Sequence, residues 1–339
     1  MDQVIVRMPN WIGDLIMATP ILEDLRRQFP TALITAMCRA PLSELLQEDK
    51  AIDELFTFHR PGNSFLRRQE QRDLVEKLRG GHYEVGVITP CSFSSAWWFW
   101  TGRVKRRIGF AGRWRSLLLT DALKFPEEKE PLIDSYKRLL IPLGIERSKT
   151  VPRLFIREDE RAAARELLRQ RGYRAGQPLV ALHPGAAYGA AKSWPLERYR
   201  ALAQKLAERE GWFVVVLGDD SLRVSAQQLC SGLPKQVIDL VGGTSLRQLA
   251  ALLEVSTLLV CNDSGPMHMA SALGTPLIAL FGSTDDQVTG PSGKKSLVIN
   301  KRISCAPCLR RVCPIDFRCM LGISVEEVLQ KVDYVVERL

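Results

Sequence analysis

Several stretches of this 339-residue chain pair chemically competent residues with spacings that bring them to the end of a strand. The richest is LLVCNDSGPMHMASALGTPLIALFGST, residues 258–284. An apolar run delivers Asn262, Asp263, Ser264 and Gly265 to a turn, and Pro266 is tolerated at the first position of the helix that must follow. The amides of Ser264, Gly265 and Met267 would then lie at the helix start, where the dipole favours a phosphate. His268 on the first turn is placed to bond a phosphate or a sugar hydroxyl. A packing explanation stands beside this one: Asp263 caps the helix and His268 lies beneath the turn.

A second turn, HPGAAYGAAKSWPLERY at 183–199, has small residues that let a ligand approach the backbone, and Lys192 supplies a point charge. Together the two turns suit a diphosphate, although an ordinary Gly-rich loop with a solvated lysine also fits. A third, LGDDSLR, puts Asp219 and Asp220 after an apolar strand, where a carboxylate would accept bonds from ribose hydroxyls. Neither GxxxxGK[ST] nor GxGxxG occurs, which removes the expected support for ATPase and NAD-dependent readings. Near the N-terminus, MPNWIGDLIMATPILEDL places one carboxylate, Asp14, between a glycine and an apolar helix, as a cap or as a general base. The array CAPCLRRVCPIDFRC gives Cys305, Cys308, Cys313 and Cys319. A structural zinc site, packing thiols, a redox-dependent bridge and, more remotely, an iron–sulfur site are its readings.

The elements that must position these groups alternate. QVIVRM, ALITAMC and YEVGVIT read as strands in the first half; PLVALHPG, WFVVVLGDD, TLLVCNDSG and PLIALFG do so in the second, with helical patterns between them. Such alternation implies parallel β-α-β units. The fold class expected is α/β, two doubly wound Rossmann-like domains facing across a cleft: 1–155, 156–323, and a final helix over 324–339 with Ser324 as N-cap. Ligands of such sheets sit outside the carboxyl ends of the strands, where every motif above falls.

Composition is that of a globular protein, 46% hydrophobic, 25% charged and 7% aromatic. No export signal or membrane span is read, so a cytoplasmic location with reduced thiols is expected. The net charge of +9 favours an anionic partner, and TGRVKRRIGFAGRWRSLLLT at 101–120 carries six basic residues and no acid. A solvated face is the plain explanation of that run.

Residues 8–20, 106–121, 183–195, 258–284 and 305–323 together resemble the ADP-heptose:lipopolysaccharide heptosyltransferases, in order over nearly the whole chain, and the Cys-rich tail is most similar to the heptosyltransferase II branch. The resemblance implies the glycosyltransferase B fold, with the acceptor on the N-terminal domain, the nucleotide sugar on the C-terminal one, and the last helix crossing back. It implies inverting transfer of heptose from ADP-L-glycero-D-manno-heptose to the heptosyl-Kdo2-lipid A inner core, with no cofactor required for chemistry. Asp14 matches the family's catalytic carboxylate and Lys192 its diphosphate-binding lysine. Asp263 matches the acid that meets the sugar, Ser264 and Gly265 fall at the phosphate, and His268 near the heptose. Candidate contacts for acceptor phosphates and the inner membrane surface are Arg60, Arg67, Arg68, Arg103, Arg106, Arg107 and Arg113. The alternatives are a transferase of the same fold using another acceptor, as in heptosyltransferases I and III, or another nucleotide sugar. A different class, a zinc-bearing nucleic-acid-binding protein, lacks any C2H2, RRM or KH signature.

Overall fold

The apolar run after Asp2 becomes the central strand of the first sheet in the computed structural model, which describes residues 1–59 and 64–338. Packing divides the chain into two units, Met1–Phe155 and Ile156–Leu339. Unit 1 holds β1 (Gln3–Arg7), β2 (Leu33–Arg39), β3 (Glu54–Phe58), β4 (Val85–Ile88), β5 (Arg106–Phe110) and β6 (Asp121–Leu123), all parallel in the order β3-β2-β1-β4-β5-β6. Helices α1 (Ile12–Gln28), α2 (Ser64–Gly80), α3 (Phe93–Thr101) and α4 (Leu132–Arg138) connect and cover them.

Unit 2 repeats the plan with β7 (Leu179–His183), β8 (Phe213–Val216), β9 (Val237–Asp239), β10 (Leu258–Asn262), β11 (Leu277–Phe281) and β12 (Ser296–Asn300), in the order β12-β11-β10-β7-β8-β9. Its helices are α5 (Glu158–Gln170), α6 (Leu196–Ala207), α7 (Arg223–Cys230), α8 (Leu246–Val255), α9 (Gly265–Leu273), α10 (Asp286–Thr289), α11 (Arg318–Leu321) and α12 (Val325–Val336). Strands β7, β10 and β11 are buried along their whole length, as a parallel sheet covered on both faces requires, which is why they read as unbroken apolar runs.

Strand order reverses between β1 and β4 in unit 1 and between β7 and β10 in unit 2, and each reversal opens a crevice at the carboxyl ends. Local signals start the helices that flank them. Ser92 caps α3 and Ser245 caps α8, the latter in a reciprocal box with Gln248. In α12 the Ser324 Oγ accepts from the Glu327 amide at 3.1 Å. Its stripe of Val325, Val328, Val332 and Val335 is buried with the unit 2 core, against α6, β10 and β11.

The basic run at 101–120 is a strand and a 3-10 turn rather than a uniform charged surface. Arg106 forks onto Asp121 at 3.0 and 2.9 Å, pinning β5 to β6. Arg107 donates to the carbonyls of Val104, Lys105 and Leu118, and Arg115 is buried with Nη1 2.8 Å from the Phe110 carbonyl. Arg103 and Arg113 remain exposed. Arg60, and the side chains of Arg67 and Arg68, lie outside the described residues. No described helix is long and apolar enough to cross a membrane.

Candidate active site

In unit 2 the crevice between β7 and β10 collects the second-half motifs. Asn262 ends β10 with no exposure and wires the two turns together. Its Oδ1 accepts from the Trp194 amide at 2.9 Å and the Tyr199 hydroxyl at 3.1 Å, while its Nδ2 donates to the Pro184 carbonyl at 2.8 Å. Trp194, 1% exposed, anchors the far side of the same turn by donating from Nε1 to the Ile323 carbonyl at 2.9 Å. Lys192 is therefore carried on a fastened turn rather than a free surface loop.

The Lys192 Nζ lies 2.5 Å from Asp263 Oδ2, which also accepts from the Thr284 hydroxyl at 2.6 Å. Asp263 is buried and Lys192 partly so, with side-chain exposures of 5% and 12%, and the ammonium sits 4.8 Å from the Tyr188 ring centroid. Asp263 is thus the lysine's counterion; the N-cap of α9 is Ser264, which makes no side-chain cap bond. Instead Ser264 Oγ meets the Asn262 carbonyl at 3.1 Å and His183 Nδ1 at 3.3 Å.

The Ser264 and Gly265 amides begin α9 without intrahelical acceptors. Met267 differs from expectation: its amide is spent on the Ser264 carbonyl at 3.1 Å and its side chain is fully buried. His268, on the first turn of α9, is 6% exposed, and burial pulls its pKa down to about 4 despite nearby Asp263. His183 is lowered to about 4 for the same reason. Both imidazoles are therefore neutral at neutral pH, and that of His183 meets the Ser264 hydroxyl as a neutral ring.

Small residues in the 183–195 turn serve the protein's own packing. A Cβ on Gly185 would stand 2.5 Å from a Leu222 methyl. Gly189, at φ +155°, lies so close to the Arg311 carbonyl that a Cβ would approach it to 2.4 Å. Asp219 and Asp220 follow β8 as expected, both exposed. Asp219 accepts from the Ser221 amide at 2.9 Å, and Asp220 pairs with Arg223 at 2.5 Å.

Cys305, Cys308, Cys313 and Cys319 line one recess of about 370 Å³, with Arg310 and Arg318 on its wall. All four are free, and burial pushes the Cys319 thiol up. Among the described residues no group of three or more His, Cys, Asp or Glu is placed to hold a metal ion.

In unit 1, Asp14 is the third residue of α1. The N-cap is Trp11, which offers no side-chain cap bond, so Asp14 is not the capping residue. Tyr136 donates to Asp14 Oδ1 at 3.4 Å, and burial together with Asp14 raises the phenol well above its ordinary value. Tyr136 therefore stays protonated at neutral pH and meets the carboxylate as a neutral donor. Sequence reasoning missed Tyr136 as a partner of Asp14 in unit 1, and Thr284, His183 and the bridging role of Asn262 in unit 2. Tyr136 lies 122 residues from Asp14, and no local pattern links them.

Comparisons with known proteins agree with this arrangement. The sequence profile of glycosyltransferase family 9 (heptosyltransferase) matches residues 71–317. Lipopolysaccharide heptosyltransferase 2 of Escherichia coli K12 is 30% identical over 313 residues, covering 88% of this chain and 87% of its own. Lipooligosaccharide heptosyltransferase 2 of Haemophilus ducreyi is 29% identical, covering 88% of each. The solved structure of E. coli ADP-heptose lps heptosyltransferase II superposes with a TM-score of 0.84 at 26% identity, over 100% of this chain and 99% of its own. Two six-stranded parallel sheets, a lysine–aspartate pair at one switch point and near-complete alignment with these transferases lead to one conclusion: the chain belongs to glycosyltransferase family 9, the heptosyltransferases, and has the two-domain glycosyltransferase B fold.

Proposed function

We propose that the protein transfers heptose from ADP-heptose, with inversion, to the heptosyl-Kdo2-lipid A inner core. The observation that carries this reading is the largely buried Lys192–Asp263 pair beside the start of α9. Lys192 and the free amides of Ser264 and Gly265 take the diphosphate and stabilise the charge that grows on departing ADP. Asp263 holds the lysine in place and meets the sugar, while neutral His268 offers a bond to a heptose hydroxyl. Asp219 and Asp220, at the end of β8, are placed for the ribose. Asp14 accepts the proton of the acceptor hydroxyl as its oxygen bonds to the anomeric carbon and the bond to ADP breaks. These roles leave no step that needs a metal cofactor.

The assay is direct. Incubated with ADP-heptose and heptosyl-Kdo2-lipid A, the protein is expected to add one heptose, read by mass. Transfer only to Kdo2-lipid A, or only from another nucleotide sugar, would overturn the assignment in favour of a sibling activity.

We further propose peripheral contact with the inner membrane through unit 1. Phe93, Trp97 and Trp100 on α3, with Trp114 and Leu117 after β5, are 43–78% exposed, and the α3 rings lie 6.1 and 5.1 Å apart in sequence. Exposed Arg103 and Arg113 are near them in the chain. Tryptophan favours the headgroup level of a bilayer, and each basic residue adds about 1 kcal/mol at an anionic surface. Sedimentation with anionic vesicles is expected to retain the protein, less so at high salt and in Trp97→Ser/Trp114→Ser. Retention indifferent to both changes counts against this face.

A further inference from the structure

A recess of about 530 Å³ lies in unit 1 at the carboxyl ends of β1, β2 and β3. Arg7 and Arg39, the last residues of adjacent parallel strands, line it together with Asn10 and with Ser92, Ser94 and Ser95 at the start of α3.

The positive charge here lacks a counterion within the described structure. Arg7 is 1% exposed, and its hydrogen bonds go to neutral atoms: the Met8 carbonyl, the Met37 carbonyl at 3.5 Å and Asn10 Oδ1 at 2.6 Å. Its guanidinium stands 4.5 Å over the Phe58 ring, and its Nε has no partner. Burial, with Arg39 adding repulsion, lowers its pKa to about 10. The Nε of Arg39 is also buried without a partner, and Arg39 forms no ion pair among the described residues. Glu70, an acid on the recess wall, hydrogen-bonds to neither guanidinium. An apolar side chain at the end of β1 would pack without this desolvation cost, so retention of two uncompensated guanidiniums calls for a reason beyond folding.

The start of α3 adds donors of the same sign. Ser92 Oγ accepts from the Ser95 amide at 3.3 Å, and the amides of Phe93 and Ser94 carry the positive end of the helix dipole. Guanidinium, amide and hydroxyl donors converging on one recess match a compact oxyanion.

We propose that this recess is an oxyanion subsite that grips the carboxylate of an acidic sugar or a phosphate on the saccharide acceptor. Arg39, Asn10 and the start of α3 supply the direct contacts, and Arg7 supplies buried charge beneath them. Asn10 and Trp11 line the recess and immediately precede α1, whose third residue is Asp14. Gripping the anion there fixes where the acceptor hydroxyl lies relative to the base and selects acidic over neutral saccharides. The identity of the molecule carrying the anion rests on the acceptor proposed above; the existence of the subsite does not.

Calorimetric titration without ADP-heptose separates the two. One arm uses inorganic phosphate and the other free Kdo, the acidic sugar of that acceptor. Saturable binding of one molecule per chain is expected, and the arm that binds names the source of the anion. Arg39→Gln is expected to weaken it by about tenfold or more. In turnover assays the same variant should raise KM for the acceptor and leave KM for ADP-heptose unchanged. Should Arg39→Gln fail to fold, Asn10→Ala is expected to weaken the same binding. Failure of wild-type protein to bind either anion, or undiminished binding by a folded variant, would overturn the subsite. Anion binding that depends on Arg39, together with no transfer to the lipid acceptor, would instead leave the subsite standing and remove the acceptor assignment.

Discussion

Asp14→Asn is expected to lower kcat by about 10²- to 10⁴-fold while the protein remains folded. The reason both halves of that result go together is local. The substitution keeps the shape of the side chain and its ability to accept from Tyr136, but the amide cannot take a proton from the acceptor hydroxyl. Stability should change little, because Trp11 rather than Asp14 is the N-cap of α1. Loss of a negative charge from the first helical turn is worth about 0.3–1 kcal/mol. Thermal melting and single-turnover transfer measured on the same preparation check the two halves. Turnover within twofold of wild type would remove Asp14 from the chemistry.

The second large effect is at Lys192, where structure and function are coupled and must be separated. Lys192→Met is expected to destabilise unit 2 by about 3–5 kcal/mol, since it strands the Asp263 carboxylate, 5% exposed, with the Thr284 hydroxyl as the remaining partner of Oδ2 among the described residues. It should also cost about 10²- to 10³-fold in transfer, the loss expected when one preorganised stabiliser of developing charge is removed. The double variant Lys192→Met/Asp263→Asn removes both charges, so much of the stability should return. Transfer should not return with it. Denaturant melts and kcat measured on wild type, both single variants and the double variant form the test. Recovery of activity alongside stability would show that the pair serves folding alone.

The sequence made the sheet cores legible because parallel strands covered on both faces must be apolar throughout, as in LVALH, LLVCN and LIALF. The motifs at their ends could be read for the same reason: the polar residues stand out where the apolar run stops. Other elements were hidden by their own composition. RRIGF reads as part of a basic run, yet it is β5, paired with β4 and β6, and its first arginine is satisfied by Asp121 across the sheet. SELL has the pattern of a short helix and forms a tighter 3-10 turn.

Contacts that join distant segments left no periodic trace. Tyr136 on Asp14 and Asn262 on the Trp194 amide span 122 and 68 residues. The Arg7–Arg39 recess depends on which strands become neighbours; β1 and β2 pair with Arg7 beside Met37, a register that no local spacing announces. The glycines of the 183–195 turn showed a need for room without revealing who occupies it, which at Gly189 is the backbone of Arg311.

The four letters NDSG at 262–265 hold four unlike offices. The amide of Asn262 needs both its oxygen and its nitrogen, because two donors and two carbonyls meet it. Asp263 needs its charge, for the lysine. Ser264 needs a short hydroxyl that reaches His183, and Gly265 opens the helix. Exchanging Asn262 for Asp, or Asp263 for Asn, alters a single atom and looks mild by any similarity score. At 262 it turns a donor toward a carbonyl into a second acceptor, and at 263 it deprives an ammonium of its counterion. The motif is therefore spelled rather than merely composed: its meaning lies in the order of the letters, and chemically adjacent residues cannot trade places within it.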